Sequence, residues 1–305
     1  MTTSNASSLL LPAAAAAAGA QQYPAGALYV VATPIGNLAD LSLRAIHVLG
    51  LVDAVACEDT RHTAPLLRHL GLDKPLMAVH AHNERSAAQA VVARLSRGER
   101  VAYVSDAGTP AVSDPGAALV AAVREAGHPA VPIPGASSAI AALSVAGDTQ
   151  AQGFLFVGFL PARAAERAAA VTALADRGAA QVLFEAPHRI ESLAAALAAA
   201  CPERCITLCR ELTKQFETVA TMPAAALPAW LAADAHRLRG EFVIVAHALP
   251  AHASPEEAGV HDQLLKPLLA ALPLKQAVAL AAEQSGAPRN ALYARALALK
   301  EASSQ

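Results

Sequence analysis

The chain is 305 residues long, with 54% hydrophobic and 4% aromatic residues and a formal net charge of −2. That length exceeds what one small core needs and suits two domains with an appendage. The near-neutral balance excludes a molecule-wide positive field, so any contact with nucleic acid has to come from local patches.

Residues 1–26 carry an Ala/Ser-rich stretch that lacks the basic start of a secretory signal and reads as a disordered tail. Residues 27–32 (ALYVVA) form the first strand and run into a Gly/Pro loop, 33–38 (TPIGNL). Asp40 or Ser42 then caps the helix LSLRAIHVLG, which closes at Gly50. A second strand, 52–57, ends in Glu58-Asp59-Thr60-Arg61, and the helix TAPLLRHLG leads to a strand near 75–79. The polar segment 80–85 (HAHNER) precedes a helix over 86–97. Residues 101–104 (VAYV) are a buried strand that delivers a Gly/Ser/Asp/Pro-rich loop, 105–116, into the helical stretch ALVAAVREAG. Another strand, 130–133, ends in Pro134-Gly135-Ala136-Ser137-Ser138. Strand–loop–helix units of this length predict a largely parallel sheet covered on both faces.

The pattern restarts near 147–153. Strand 154–159, an Ala/Arg-rich helix over 162–177, strand 182–184, helix 190–200, strand 205–211 and a last strand at 241–248 follow, spaced closely enough to suggest a mixed sheet. Segment 250–259 reads as a linker. Beyond it the chain is helical, with two short helices around a Ser-Gly-Ala-Pro turn and a basic lean from Lys266, Lys275, Arg289, Arg295 and Lys300. That arrangement is compatible with a helix-turn-helix touching RNA, and equally with a packing appendage. The divisions are therefore 1–26 tail, 27–145 first α/β domain, 146–250 second α/β domain, and 251–305 linker and helical domain. No run of about 18 or more strongly apolar residues suggests a membrane span. Cys57, Cys201, Cys205 and Cys209 have no ligand set to complete a zinc site and read as reduced thiols of a cytosolic protein.

Four loops at strand ends hold most of the chemistry: 33–38, 58–61, 106–116 and 134–138. Parallel strands point their carboxyl ends to one side, so these loops can share one cleft. The 106–116 loop lacks both the G-x-x-x-x-G-K-[ST] and the G-x-G-x-x-G patterns. Asp106 and Asp114 would repel a phosphate-rich ligand, so a neutral or cationic one fits better. The plainer reading is a tight structural turn. Residues 58–61 can equally cap the next helix, and His80 and His82 read as surface histidines because no third metal ligand is spaced nearby. Arg210, Glu211 and Lys214, and the Arg163–Glu166–Arg167 and Arg189–Glu191 clusters, have the plain reading of solvated ion-pair faces.

The segments TPIGNL, EDTR, DAGTPAVSDPG, PGASSA, FLP, EAPHR, RELTK and LKQ closely resemble the ribosomal RNA small-subunit methyltransferase I family over residues 28–297. The resemblance implies an α/β fold with two domains of the tetrapyrrole methylase type (class III S-adenosylmethionine methyltransferases) and a small C-terminal helical domain. It also implies a cytoplasmic homodimer that uses S-adenosylmethionine, needs no metal, and methylates the 2′-oxygen of a decoding-region cytidine in 16S rRNA of the small ribosomal subunit. Carried over loop by loop, the cofactor contacts fall on Pro34, Gly108, Thr109, Val112, Ser137 and Ser138, with Phe184, Glu185 and Ala246 from the second domain. A hydroxyl is a weak nucleophile that needs a base or a cation beside it. The candidates are Glu58, Asp59, Arg61, Glu185, Arg210 and Lys214, with Glu58 and Lys214 the leading pair. The competing readings are a methylase of a tetrapyrrole or other small molecule, a non-catalytic RNA-binding module and a dinucleotide-dependent oxidoreductase.

Overall fold

The computed structural model describes residues 4–80, 83–250, 261–287 and 289–302. The chain divides into a body up to Ala248 and a helical unit from Leu249 onward.

In the body, five parallel strands form the first sheet: β1 (Leu28–Val31), β2 (Ala54–Cys57), β3 (Leu76–Ala78), β4 (Val101–Val104) and β5 (Ala130–Ile133). Their order is β3-β2-β4-β1-β5. The connection leaving β1 crosses to β2, and the one leaving β4 crosses the other way to β5. The two loops at the carboxyl ends of β1 and β4 therefore diverge, and a crevice opens between them. β2 and β4 are buried along their whole length, as expected of strands covered on both faces.

The helices divide between those faces. Leu49 of α2 (Leu43–Leu51) and Leu67 of α3 (Thr60–His69) pack on one side. Val91 of α4 (Glu84–Ser96) and Val123 of α5 (Ala117–Glu125) pack on the other. Ser42, not Asp40, caps α2, its Oγ accepting from Ala45 N–H at 3.1 Å. Asp59 caps α3 in the same way, at 2.8 Å from Arg61 N–H. The expected disordered tail is replaced over Ser4–Ala18 by a helix, α1. Ala14 is buried in the α2 core, with Leu10 and Leu11 packed against it. An alanine-rich stretch has high helix propensity and needs only a surface to settle on.

The second sheet has the order β6-β7-β10-β8-β9. Its strands are β6 (Phe154–Phe159), β7 (Ala180–Glu185), β8 (Cys205–Arg210), β9 (Thr218–Pro223) and β10 (Phe242–Ala246). β6 runs parallel to β7, and the other pairings are antiparallel, giving the mixed sheet expected. One face is covered by α7 (Ala164–Ala175), α8 (Ile190–Ala200) and α9 (Leu227–Ala232). The other face is covered by α6 (Ser138–Ala146), whose Ala139, Ala142 and Ala146 pack on Val182, Cys209, Val243 and Val245. β9 and α9 went unread in the sequence. β9 alternates half-buried and exposed residues at the sheet edge, so it lacks an apolar run.

The helical unit contains α10 (Asp262–Ala271), α11 (Leu274–Ser285) and α12 (Arg289–Ala302) around Leu265, Val278, Ala281, Leu292 and Ala296. Two helices were expected where three are found. The extended backbone at Leu272 and Pro273 splits the first, because the residue before a proline avoids helical angles. The expected linker falls almost wholly, and His82 entirely, outside the described residues. No helix among the described residues is long and apolar enough to cross a membrane.

Candidate active site

The divergent loops after β1 and β4 are stitched together before they part. Thr33 N–H donates to Gly108 O at 2.9 Å and Gly108 N–H to Thr33 O at 3.1 Å. Thr109 Oγ1 donates to Ala136 O at 3.1 Å, which ties in the loop after β5. Gly108 has φ +81, an angle side-chain-bearing residues rarely adopt, and a Cβ there would sit 3.3 Å from Ile35 Cγ2.

Beside this seam lies a cavity of about 380 Å³. The loop after β4 lines it with Gly108, Thr109, Val112 and Asp114, and α6 contributes Ser137 and Ser138 at its N-terminus. The second sheet adds Phe184 and Glu185 at the end of β7 and Glu241, Phe242 and Val243 at the start of β10. Phe184 meets Phe159 edge-on, 5.6 Å between ring centroids, and both face the cavity. Aromatic and apolar walls with a few hydroxyls and exposed N–H groups suit a purine-bearing ligand better than a polyphosphate. None of the lining residues is Lys, Arg or His.

Of the expected cofactor contacts, the structure brings Gly108, Thr109, Val112, Ser137, Ser138, Phe184 and Glu185 to this cavity. Pro34 lines a second cavity, of about 280 Å³, together with Gly36, His62 and Asp106, whereas Ile35 lines the first. Ala246 is elsewhere. It is fully buried in the core against α7, α8 and α9, on the sheet face away from α6. Because β10 runs antiparallel to β7, Phe242 pairs with Glu185 and Ala246 with Gln181. The start of β10, not its end, therefore reaches the cavity, and Ala246 lies about 13 Å further along the strand. Phe159 and residues 241–243 were not read as site residues, and Ile35 and Asp114 were read only as members of their loops. The antiparallel pairing that carries Glu241 there has no local signal in the sequence.

The charged candidates separate by environment. The Glu185 side chain is 0% exposed and sits between Arg167 (13%), with Nη2 2.8 Å away, and Arg189 (18%), with Nε 3.1 Å away. Arg189 Nη2 also donates to Leu160 O at 2.7 Å, so this ion cluster ties the FLP and EAPHR segments together. The clusters read as solvated faces are thus partly a buried clamp, and both Glu185 carboxylate oxygens are already engaged, by Arg167, by Arg189 and by Ala186 N–H. Arg210 is likewise engaged, donating from Nε to Arg239 O at 2.6 Å and from Nη1 to Phe216 O at 3.2 Å. Lys214 Nζ donates to Glu211 and to Glu241, each at 2.9 Å. Burial pulls the Lys214 ammonium down, but the two carboxylates outweigh it and hold it above its ordinary value. Its stem covers Gly36, where a Cβ would lie 2.5 Å from Lys214 Cγ, so the second sheet's loop rests on the first sheet's TPIGNL loop.

Glu58 is half-buried at the end of β2. Burial raises its carboxyl above the ordinary range, and the charges of Asp114 and Asp106 add to the shift. Asp59 is held at about 2 by its hydrogen bonds from Arg61, the helix-capping arrangement. His62 Nδ1 lies 2.8 Å from Asp106 Oδ2, and that hydrogen bond raises its pKa. Asp59, His62 and Asp106 form a surface cluster of metal-ligand spacing, though Arg61 already occupies the Asp59 carboxylate.

Residues 27–228 match the family model for Tetrapyrrole (Corrin/Porphyrin) Methylases, and residues 253–300 match that for the RsmI C-terminal HTH domain. The chain is 47% identical over 275 residues to ribosomal RNA small subunit methyltransferase I of Pseudomonas aeruginosa, covering 90% of this chain and 97% of the relative. With the protein of the same name from Escherichia coli O157:H7 it shares 46% identity over 275 residues, 89% and 95% of the two chains. Among solved structures, uroporphyrin-III-C-methyltransferase from Thermus thermophilus superposes with a TM-score of 0.52 at 24% identity, covering 73% of this chain and 94% of that one. Cobalt precorrin-4 methyltransferase, a cobalamin biosynthetic enzyme, superposes at 0.54 and 16% identity, covering 74% and 98%. These two share the fold of the body.

Proposed function

The chain belongs to the ribosomal RNA small subunit methyltransferase I family, and from that premise we propose that it transfers a methyl group from S-adenosylmethionine to 16S rRNA of the small ribosomal subunit. The acceptor we assign is the 2′-oxygen of a cytidine ribose in the decoding region. The observation that carries the reading is the 380 Å³ cavity at the β1/β4 crevice, walled by Phe159 and Phe184 and free of lining cations. A cationic sulfonium fits such a site, and a polyphosphate does not.

When bound, the cofactor supplies an electrophilic methyl carbon. The chain's own contribution is placement, because in-line geometry between oxygen and carbon provides much of the rate. Gly108 lets the loop backbone approach closely, Thr109, Ser137 and Ser138 offer hydroxyls, and the Glu185 clamp fixes the wall that carries Phe184. Glu58 is our base: it follows β2 beside the Asp106 and Asp114 loop, outside the cavity lining, and its raised pKa makes it a better proton acceptor than an ordinary carboxylate. Lys214, which stands outside the cavity lining and is held by Glu211 and by Glu241 of the wall, is our cation for the developing alkoxide, to be reached as the RNA ribose enters.

We further place the enzyme in the cytoplasm, where small subunits assemble, and propose that it works as a homodimer. Ile140 and Val145 on α6 and Phe154 on the edge strand β6 are exposed apolar side chains that supply material for an interface. The tests are mass mapping of ribose methylation on 16S rRNA with and without the gene, and single-turnover methylation of purified small subunits by Glu58→Gln. We expect one cytidine to lose its methyl group without the gene. For Glu58→Gln we expect a loss of about a hundredfold or more with cofactor affinity retained. Unchanged RNA would refute the function, and a near-wild-type rate would refute the base.

A further inference from the structure

Three carboxylates line the cavity, at Asp114, Glu185 and Glu241, and they are not electrostatically equivalent. Glu185 is neutralised by Arg167 and Arg189, while Glu241 shares Lys214 with Glu211 and its side chain is 79% exposed to solvent. Asp114 is acted on by burial, by a hydrogen bond from Ser105 and by the like charge of Asp106, with no cation beside it among the described residues. Burying a carboxylate without a counter-ion is costly, and burial accordingly lifts the Asp114 pKa.

The loop holds Asp114 in place at some strain. Ala111 and Ser113, on its N-terminal side, adopt left-handed backbone angles, φ 64 and 69, that non-glycine residues rarely take. The turn is closed by Ala111 N–H donating to Pro115 O at 3.2 Å and by Tyr103 Oη donating to the same oxygen at 2.6 Å. Strain of this kind persists where the surroundings over-determine it, and it clusters where a site needs a group held in place.

We infer that Asp114 is the residue by which this cavity distinguishes the sulfonium-charged methyl donor from its neutral thioether product. The inference rests on the assignment of S-adenosylmethionine to the cavity. Methyl transfer breaks the S–CH3 bond with its electron pair left on sulfur, while the acceptor oxygen bonds to the methyl carbon and gives its proton to a base. Donor and product therefore share adenosine and amino-acid groups and differ by one positive charge at sulfur. An uncompensated anion in the wall attracts the charged form, adds nothing for the neutral one, and so favours exchange of product for fresh donor. Glu185 is cancelled by its two arginines, and Glu241 is paired with Lys214 and largely open to solvent, which screens its charge, so neither matches half-buried Asp114 in this.

The experiment is calorimetric titration of the full chain with S-adenosylmethionine and with S-adenosylhomocysteine, for the wild type, Asp114→Asn and Asp114→Glu. Asp114→Asn should weaken S-adenosylmethionine about tenfold, the effect of one partly screened charge at several ångström, and leave S-adenosylhomocysteine within about twofold. Asp114→Glu, which keeps the charge, should retain most of the wild-type preference. Retained S-adenosylhomocysteine binding also shows that each variant is folded. Equal losses for both ligands, or no loss for either, would overturn the role of Asp114 while leaving the cofactor assignment standing. A wild type that binds neither ligand would overturn the assignment itself, and the inference with it.

Discussion

Glu185→Gln tests whether the clamp beneath the cavity wall is held together by charge. The substitution preserves shape and removes the anion shared by Arg167 and Arg189, whose side chains are only 13% and 18% exposed. Removing one partner from a buried ion pair costs about 3–5 kcal/mol, because the remaining charge is left uncompensated. Here two guanidinium groups lose their counter-ion. They keep carbonyl acceptors at Leu160, Pro161 and Arg189, which places the expected loss near the lower end, about 3 kcal/mol. For a body of this size each kcal/mol moves the melting temperature by about 2–4 °C, so the variant should melt about 6–12 °C lower. The assay is thermal unfolding alongside titration with S-adenosylmethionine, whose affinity should also fall as the wall carrying Phe184 loosens. Replacing all three members together, as Arg167→Met, Glu185→Leu and Arg189→Met, should recover most of the stability, since an apolar set of similar volume carries no stranded charge. A Glu185→Gln protein within about 1 kcal/mol of wild type would refute the reasoning and return Glu185 to the list of candidate bases.

Gly108→Val should weaken S-adenosylmethionine by about 1–3 kcal/mol in a calorimetric titration, because φ +81 and the contact with Ile35 force the loop backbone off its position. Unchanged affinity would remove this loop from the site. Asp114 and Glu58 are both raised in the folded state above ordinary values of 3.8 and 4.5, so the stability given by their neutral forms is complete below those values and is lost as pH rises through the folded pKa. Asp114→Asn should accordingly melt above wild type at pH 8 while binding the donor less well, with the stability gap closing below pH 3.8. A variant that is less stable at pH 8 would contradict the burial argument. In the helical unit, Arg295 is engaged with Asp262 through two 2.8 Å hydrogen bonds, and Lys266 leans toward the same carboxylate at 3.9 Å. The exposed Lys275 and Arg289 are therefore the better phosphate contacts. Alanine at both should reduce binding to small subunits and flatten its dependence on salt, whereas Arg295→Ala should act mainly on stability.

Local physics was legible along the chain wherever neighbouring residues satisfy one another. Ser42 and Asp59 cap helices with their own side chains, proline and glycine loops end strands, and the apolar runs at β1 and β4 fall where buried strands must. The parallel first sheet put its loops on one side, so the 106–116 and 134–138 loops could be grouped from the sequence, while the individual contacts Gly108, Thr109, Val112, Ser137 and Ser138 came from the family resemblance. Ala246, also carried over from the resemblance, lies away from this cavity. In a mixed sheet the direction of β10 decides which end meets the cavity, and its pairing with β7 and β8 joins residues dozens of positions apart. Arg167 and Arg189 looked like surface charges for a similar reason, and Glu185 like an open site carboxylate. Exposure is set by the helices and strands packed around them, and a buried ion cluster has the same letters as a solvated one. The alanines of α1 became a helix against α2 only because a neighbouring surface was there to bury Ala14 and Ala18. Asp114 was visible as an acid in a loop; that it faces a cavity with no cation beside it follows from three-dimensional packing, because desolvation and charge compensation act through space and not along the chain.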